Sequence, residues 1–209
     1  CCRRNRRHPQ VASLRPHWRD RTQFRCLNRR TRATSKTVHR ACLFTREDND
    51  APVERSSLSV IALGADHAGF LLKQIIAQHL LDSGHEIIDC GTNDESRVDY
   101  PDYGAAVGVS VANGDAEHGI VVCGSGIGIV MAAGKISGIR AATVHDTTSA
   151  RLTREHNDAN VIGIGARFVA EQMALDMVEA YLDASFEGGR HEQRIAKLDA
   201  LDSADEGLL

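Results

Sequence analysis

Val121-Val122-Cys123-Gly124-Ser125-Gly126-Ile127-Gly128-Ile129-Val130 reads as a buried strand, a glycine loop and the start of a helix, with one thiol at the turn. Gly124, Gly126 and Gly128 lack a Cβ, so the backbone can turn tightly and aim N–H groups at a ligand oxygen. A helix running from Ile129 toward Lys135 adds the partial positive charge of its N-terminus. Such a site favours an anion. The spacing is G-x-G-x-G, which fits neither the dinucleotide fingerprint nor the Walker pattern, since no Gly-Lys-Ser/Thr follows. Cys123 sets the loop apart. A lone cysteine usually packs as a small hydrophobe, but the loop amides and the helix end here favour its thiolate. It also stands at the carboxyl end of a strand, where open α/β sheets bind their ligands.

Outward from this loop, short β-branched runs alternate with helical periods. Ser59–Gly64 reads as the first strand. A helix follows with Phe70, Leu71, Ile75, Ile76, Leu80 and Leu81 on its apolar side, ended by Gly84. Glu86–Asp89 is the second strand, Ala105–Ala112 a helix and Gly119–Cys123 the third strand. Ile139–Val144 and Val161–Ile164 are the fourth and fifth, separated by a helix over Thr147–Glu155. Val169–Leu182 is the last packed helix, and Gly188–Arg194 opens a C-terminal one. This alternation predicts an α/β fold, a Rossmann-like three-layer sandwich around a five-stranded parallel sheet.

Composition divides the chain of 209 residues into a tail, 1–58, and a domain, 59–209. The tail holds fifteen Lys and Arg against five Asp and Glu, the remainder ten against twenty-three, so the net charge of −3 hides a basic tail and an acidic body. The tail shows no apolar period and is expected to be disordered. Three readings of it compete: a nucleic-acid-binding arm, an Arg-rich transit peptide, and a translated segment foreign to the native protein, favoured for its missing Met. The acidic body gives nucleic-acid binding no support. No apolar run is long enough to cross a membrane, and a cytoplasmic protein is expected. Of the six cysteines, Cys1, Cys2, Cys26 and Cys42 lie in the tail, leaving only Cys90 and Cys123, which is no disulfide framework.

Polar residues collect after the strands: Asp66-His67 after the first, Cys123–Gly128 after the third, Arg167 after the fifth. Glu155-His156-Asn157-Asp158 closes the helix before the fifth strand. Arg190 and Arg194, at i and i+4, are placed to clamp a phosphate. Each has a plainer reading: Asp66 as a helix N-cap, His156 as a cation at a helix C-terminus, the arginines as a solvated face. His79, His85 and His118 lack partners at ligand spacing, so no metal site is expected. His145 is placed for a ligand contact, but Asp146 or Thr147 equally caps the next helix.

From Val60 to Leu201 the motifs Gly-Ala-Asp-His-Ala-Gly-Phe, Asp-Tyr-Pro, Cys-Gly-Ser-Gly-Ile-Gly, Glu-His-Asn-Asp-Ala-Asn and Glu-Gly-Gly-Arg-His-Glu-Gln-Arg resemble, in order and spacing, the ribose-5-phosphate isomerase B type of sugar-phosphate isomerase, related to the galactose-6-phosphate isomerase subunits. The resemblance implies an aldose–ketose isomerase acting through an enediolate, without metal or organic cofactor, on ribose 5-phosphate and ribulose 5-phosphate. Allose 6-phosphate, galactose 6-phosphate or a four-carbon sugar phosphate are alternative substrates, and a non-catalytic sugar-phosphate binding module is the alternative function. It implies Cys123 as the base, Ser125 assisting proton movement between substrate oxygens, and His156 as ring opener. Some members place a glutamate in this loop for the base's task, and here no carboxylate follows Gly128-Ile129. The backbone of Gly124, Ser125, Gly126, Ile127 and Gly128, with Asn157, is implied as the anion hole. Asp66 and His67 are implied on the sugar hydroxyls and phosphate region, and Arg167, Arg190 and Arg194 in substrate binding. The family's site lies between subunits, so a homodimer or homotetramer is expected in which some of these groups come from a neighbouring chain, with Tyr100 a weaker candidate for such a contribution.

Overall fold

The computed structural model of the protein describes residues 58–202. Residues 1–57 lie outside the described residues, and with them the expected disorder of the tail and its four cysteines. The elements run β1 (Val60–Ala65), α1 (Phe70–Asp82), β2 (Glu86–Gly91), α2 (Tyr100–Ala112), β3 (His118–Cys123), α3 (Ile127–Ala133), β4 (Ala141–Val144), α4 (Thr147–Asn157), β5 (Val161–Gly165) and α5 (Glu171–Leu182). A 3₁₀ turn (Gly189–His191) then leads into α6 (Glu192–Asp202).

All pairings among the five strands are parallel, in the order β2-β1-β3-β5-β4. Side chains alternate across this sheet with period two. Ile61, Leu63, Ile120, Val122, Ile162 and Ile164 enter one core with Leu72, Ile76 and Leu80 of α1, Ala150 of α4, and Met177 and Tyr181 of α5. Ala62, Val121, Cys123 and Val161 enter the other with Val107 and Val111 of α2 and Ile129, Val130 and Ala133 of α3. The result is the expected three-layer sandwich, α1, α4 and α5 on one face and α2 and α3 on the other. Small residues on the second face let these helices approach closely: a Cβ at Gly163 would lie 1.9 Å from Val130 Cγ2.

Boundaries shift where local bonds override the apolar pattern. β4 begins at Ala141 rather than Ile139, because Ile139 N–H turns back to Ile136 O and Arg140 N–H bonds Asn160 Oδ1. α2 starts at Tyr100, five residues before its apolar period, with Pro101 in the first turn where its missing N–H costs nothing. α5 starts at Glu171, and α3 two residues early, at Ile127. Along α1 the expected apolar face is rotated: Leu71 and Leu81 are exposed, while Leu72 and Lys73 are buried with Ile76 and Leu80. Lys73 reaches both carboxylate oxygens of Asp89, at 2.6 and 2.8 Å, and Thr92 O at 2.8 Å, which satisfies its ammonium inside the fold. Arg140 ties the last helix down, bonding Asp158 O at 2.8 Å, Asp158 Oδ2 at 2.7 Å and Asp199 Oδ1 at 3.1 Å.

Candidate active site

The chain leaves β1 toward β2 on one side and reaches β3 on the other, so β1 and β3 flank the point where strand order reverses, the position at which open α/β sheets bind ligands. The loops leaving them meet there: Asp66 N–H bonds Val122 O at 3.2 Å. A cleft of about 500 Å³ opens over this point, walled by Asp66, His67, Cys123–Ser125, Ile127, Gly128 and Arg167.

Asp66 is buried, and its Oδ1 accepts from the N–H groups of Ala68 at 2.9 Å and Gly69 at 3.0 Å. It therefore orders the turn ahead of α1 instead of capping the helix, whose N-cap is Gly69. His67 Nδ1 accepts from Val98 N–H at 3.3 Å, which leaves Nε2 as the protonated nitrogen of the neutral ring. Cys123 is buried, and its sulfur accepts from Gly126 N–H at 3.1 Å. Gly126 has a φ of 76°, and a Cβ there would come within 2.9 Å of the β5 backbone, so the turn carrying this donor requires glycine. Ser125 Oγ accepts from Ile127 N–H at 3.4 Å and stays at the mouth of the cleft. Arg167 N–H bonds Gly124 O at 3.1 Å, and its guanidinium lies where a side chain at position 124 would stand. Tyr100 lies across Gly128, whose Cβ would meet the ring at 2.8 Å. It walls its own chain's cleft.

The remaining candidates lie elsewhere. α4 leaves the carboxyl end of β4 and must finish at the amino end of β5, so His156 and Asn157 sit at the opposite edge of the sheet from Cys123. A strand of five or six residues separates the two edges by roughly 17–20 Å. At that far edge the His156 and His191 rings stack, 4.5 Å between centroids and 9° from parallel. Glu187 Oε2 lies 3.7 Å from His156 Nε2 and 3.8 Å from His191 Nε2. Asn157 opens onto a second groove of about 520 Å³ beside Arg140 and Leu198. Arg190 and Arg194 do not share a helix as expected: positive φ at Gly188 and Gly189 breaks the chain, so Arg190 falls in the 3₁₀ turn and Arg194 in α6. Both are exposed, and Arg190 Nε donates to His191 Nε2 at 3.1 Å. The pKa of His191 is lowered, chiefly by burial and then by His156, Arg190 and Arg194.

His145 stands outside the cleft and leans toward the Phe168 ring at 6.3 Å, and Asp146 caps α4, accepting from Ser149 N–H at 2.7 Å. The Glu187–His191 pairing is a feature that reading the sequence overlooked, although Glu-x-x-x-His is visible in it. No helix among the described residues is long and apolar enough to cross a membrane.

The Ribose/Galactose Isomerase family profile matches residues 61–198. Ribose-5-phosphate isomerase B of Escherichia coli is 46% identical over 142 residues, covering 68% of this chain and 95% of that protein. Among solved structures, ribose-5-phosphate isomerase B of Clostridium thermocellum superposes with a TM-score of 0.68 at 46% identity, covering 69% of this chain and 97% of that one. The Mycoplasma genitalium enzyme, solved with bound ribulose 5-phosphate, gives 0.66 at 39% identity, covering 69% and 96%. Fold, cleft and these likenesses define a sugar-phosphate isomerase. More closely, the chain belongs to the Ribose/Galactose Isomerase family.

Proposed function

We propose that the protein interconverts ribose 5-phosphate and ribulose 5-phosphate through an enediolate, with Cys123 as the base. The observation that carries this reading is the buried Cys123 sulfur beside the Gly124–Gly128 amides, in a cleft that also holds Asp66, His67 and Arg167. In the open-chain aldose the thiolate removes the C2 proton; the C–H electrons form the C1–C2 double bond and the carbonyl oxygen takes the negative charge. The loop N–H groups meet that oxyanion, and the proton returns at C1 as the C2 oxygen becomes the carbonyl. Ser125, at the mouth, passes a proton between the two oxygens. His67 and Arg167 engage the hydroxyls and phosphate region.

Ring opening by His156, the anion contact of Asn157 and the phosphate grip of Arg190 and Arg194 require a second copy of the chain. Their place at the far edge of the sheet puts them beyond the reach of one sugar phosphate bound at Cys123 of the same chain. A homodimer or homotetramer that apposes one protomer's carboxyl-end cleft to its partner's amino-end cluster assembles a complete site. No step of this mechanism requires a metal.

The test is turnover of ribose 5-phosphate by the full chain without added metal, beside Cys123→Ala. Activity lost in the alanine variant supports the reading. Sugar-phosphate binding without turnover of five-carbon substrates would replace it with a six-carbon or four-carbon substrate, or with a binding protein.

A further inference from the structure

The cluster at the far edge of the sheet has a chemistry that proton transfer does not exhaust. One nitrogen each from His156 and His191 and one oxygen of Glu187 all lie within 4.8 Å of one another. Two imidazoles and a carboxylate form a donor set suited to zinc and its neighbours. Tetrahedral zinc, with bonds of about 2.0–2.2 Å, holds its ligand atoms about 3.4 Å apart. The two histidine–glutamate separations, 3.7 and 3.8 Å, need close by only a few tenths of an ångström, and the two histidine nitrogens, within 4.8 Å of each other, by up to about 1.4 Å. The backbone already joins two of the segments, because Glu187 N–H donates to Glu155 O at 3.0 Å beside His156. The rings lie parallel, so one must turn about its Cβ–Cγ bond before both lone pairs meet at a point. His156, whose side chain is one-third exposed, has the room.

We propose that His156, Glu187 and His191 form a binding site for a divalent transition metal of the zinc type, and that its occupation switches the isomerase off. Three protein ligands leave a fourth position to water, the arrangement of an exchangeable ion. Arg190 and Arg194 nearby oppose an added positive charge, so binding is weaker than at a closed structural zinc site and reversible. Inhibition by the ion rests on the function proposed above. The ion takes the lone pair of His156, the ring opener. It also takes the His191 Nε2 lone pair that now accepts from Arg190 Nε, freeing that arginine from its position.

The experiment titrates chelator-treated full chain with Co²⁺, following its visible spectrum and isomerase activity together, in wild type and in Glu187→Gln. Cobalt is chosen because thiolate ligation by any cysteine gives an intense sulfur-to-metal charge-transfer band that imidazole and carboxylate lack. The expected result is one nitrogen- and oxygen-ligated ion per chain, with activity falling as it binds. In Glu187→Gln, metal-free activity stays within about twofold of wild type, while half-inhibition moves to at least about tenfold higher Co²⁺, a loss of about 1.4 kcal/mol or more in binding. Only charge-transfer-type binding, or equal binding by both proteins, would overturn the site. Glu187-dependent binding that leaves turnover untouched supports the site and removes His156 from the reaction instead.

Discussion

Gly126 N–H donates to Cys123 Sγ at 3.1 Å, across a turn that only glycine adopts without strain. The donor and the sulfur are three residues apart, so in the proposed mechanism the loop that presents amides to the substrate oxygen also stabilises negative charge on the base. Cys123→Ala is expected to lower kcat by roughly 10²–10⁴-fold, the usual contribution of a positioned base. Its thermal unfolding midpoint should stay near that of wild type, since little volume is removed. Steady-state kinetics beside a melting curve checks this.

Gly126→Ala tests the loop rather than the sulfur. A Cβ at this position meets Gly165 N and Ile164 C at 2.9 Å, from a backbone with φ of 76°. A destabilisation of about 1–3 kcal/mol is expected, together with at least a tenfold fall in kcat. Denaturant unfolding and kinetics of the same preparation separate the two effects. Unchanged kcat would mean that these amides do not meet the developing oxyanion.

Lys73→Met tests the support beneath the β2–α2 loop. The Lys73 ammonium holds Asp89 and Thr92 O from inside the fold, and the same loop delivers Val98 N–H to His67. Asp89 is half exposed, so water takes over its charge when the lysine is removed, and the cost falls below that of a fully buried pair: about 1–3 kcal/mol. KM should rise more than kcat falls, because His67 is a binding group in this account.

His118 links stability to pH. Its ring Nδ1 lies 3.1 Å from the Tyr181 hydroxyl, which itself donates to Ala159 O at 3.0 Å. Nδ1 therefore carries the proton that bonds the tyrosine oxygen. Burial first, and Arg154 second, lower the pKa of His118 below its ordinary value of 6.5. The unfolded chain then binds the proton more readily than the folded one. The stabilisation is present above the unfolded value and is lost as pH falls through 6.5 toward the folded value. His118→Asn keeps a donor near the Nδ1 position and cannot titrate. Between about pH 7.5 and 5.5 wild type should lose more thermal stability than the variant. Equal losses would contradict the assignment.

The strand periods and the glycine loop made the sheet and the Cys123 turn legible in the sequence, because a buried parallel strand is a continuous apolar run and the loop's glycines meet a steric demand. The face of α1 was not legible: an apolar count puts Leu71 inward, whereas the pairing of Lys73 with Asp89, sixteen residues away, puts a lysine there. The motifs name His156, Asn157, Arg190 and Arg194 beside Cys123 without saying which of them a neighbouring chain supplies. The direction of α4, running away from the carboxyl ends of the strands, separates them. The nearness of Glu187 and His191 to His156 depends on how the chain after α5 folds back, which no local period encodes.

That separation makes a site shared between two chains testable by mixing variants. Cys123→Ala and His156→Ala should each be inactive alone. Unfolded together and reassembled, they form mixed dimers in which one of the two sites draws an intact Cys123 from one chain and an intact His156 from the other. Random assembly predicts recovery of about one quarter of wild-type activity. Recovery near that level is what the shared site predicts; no recovery from mixed oligomers demonstrated to form would contradict it.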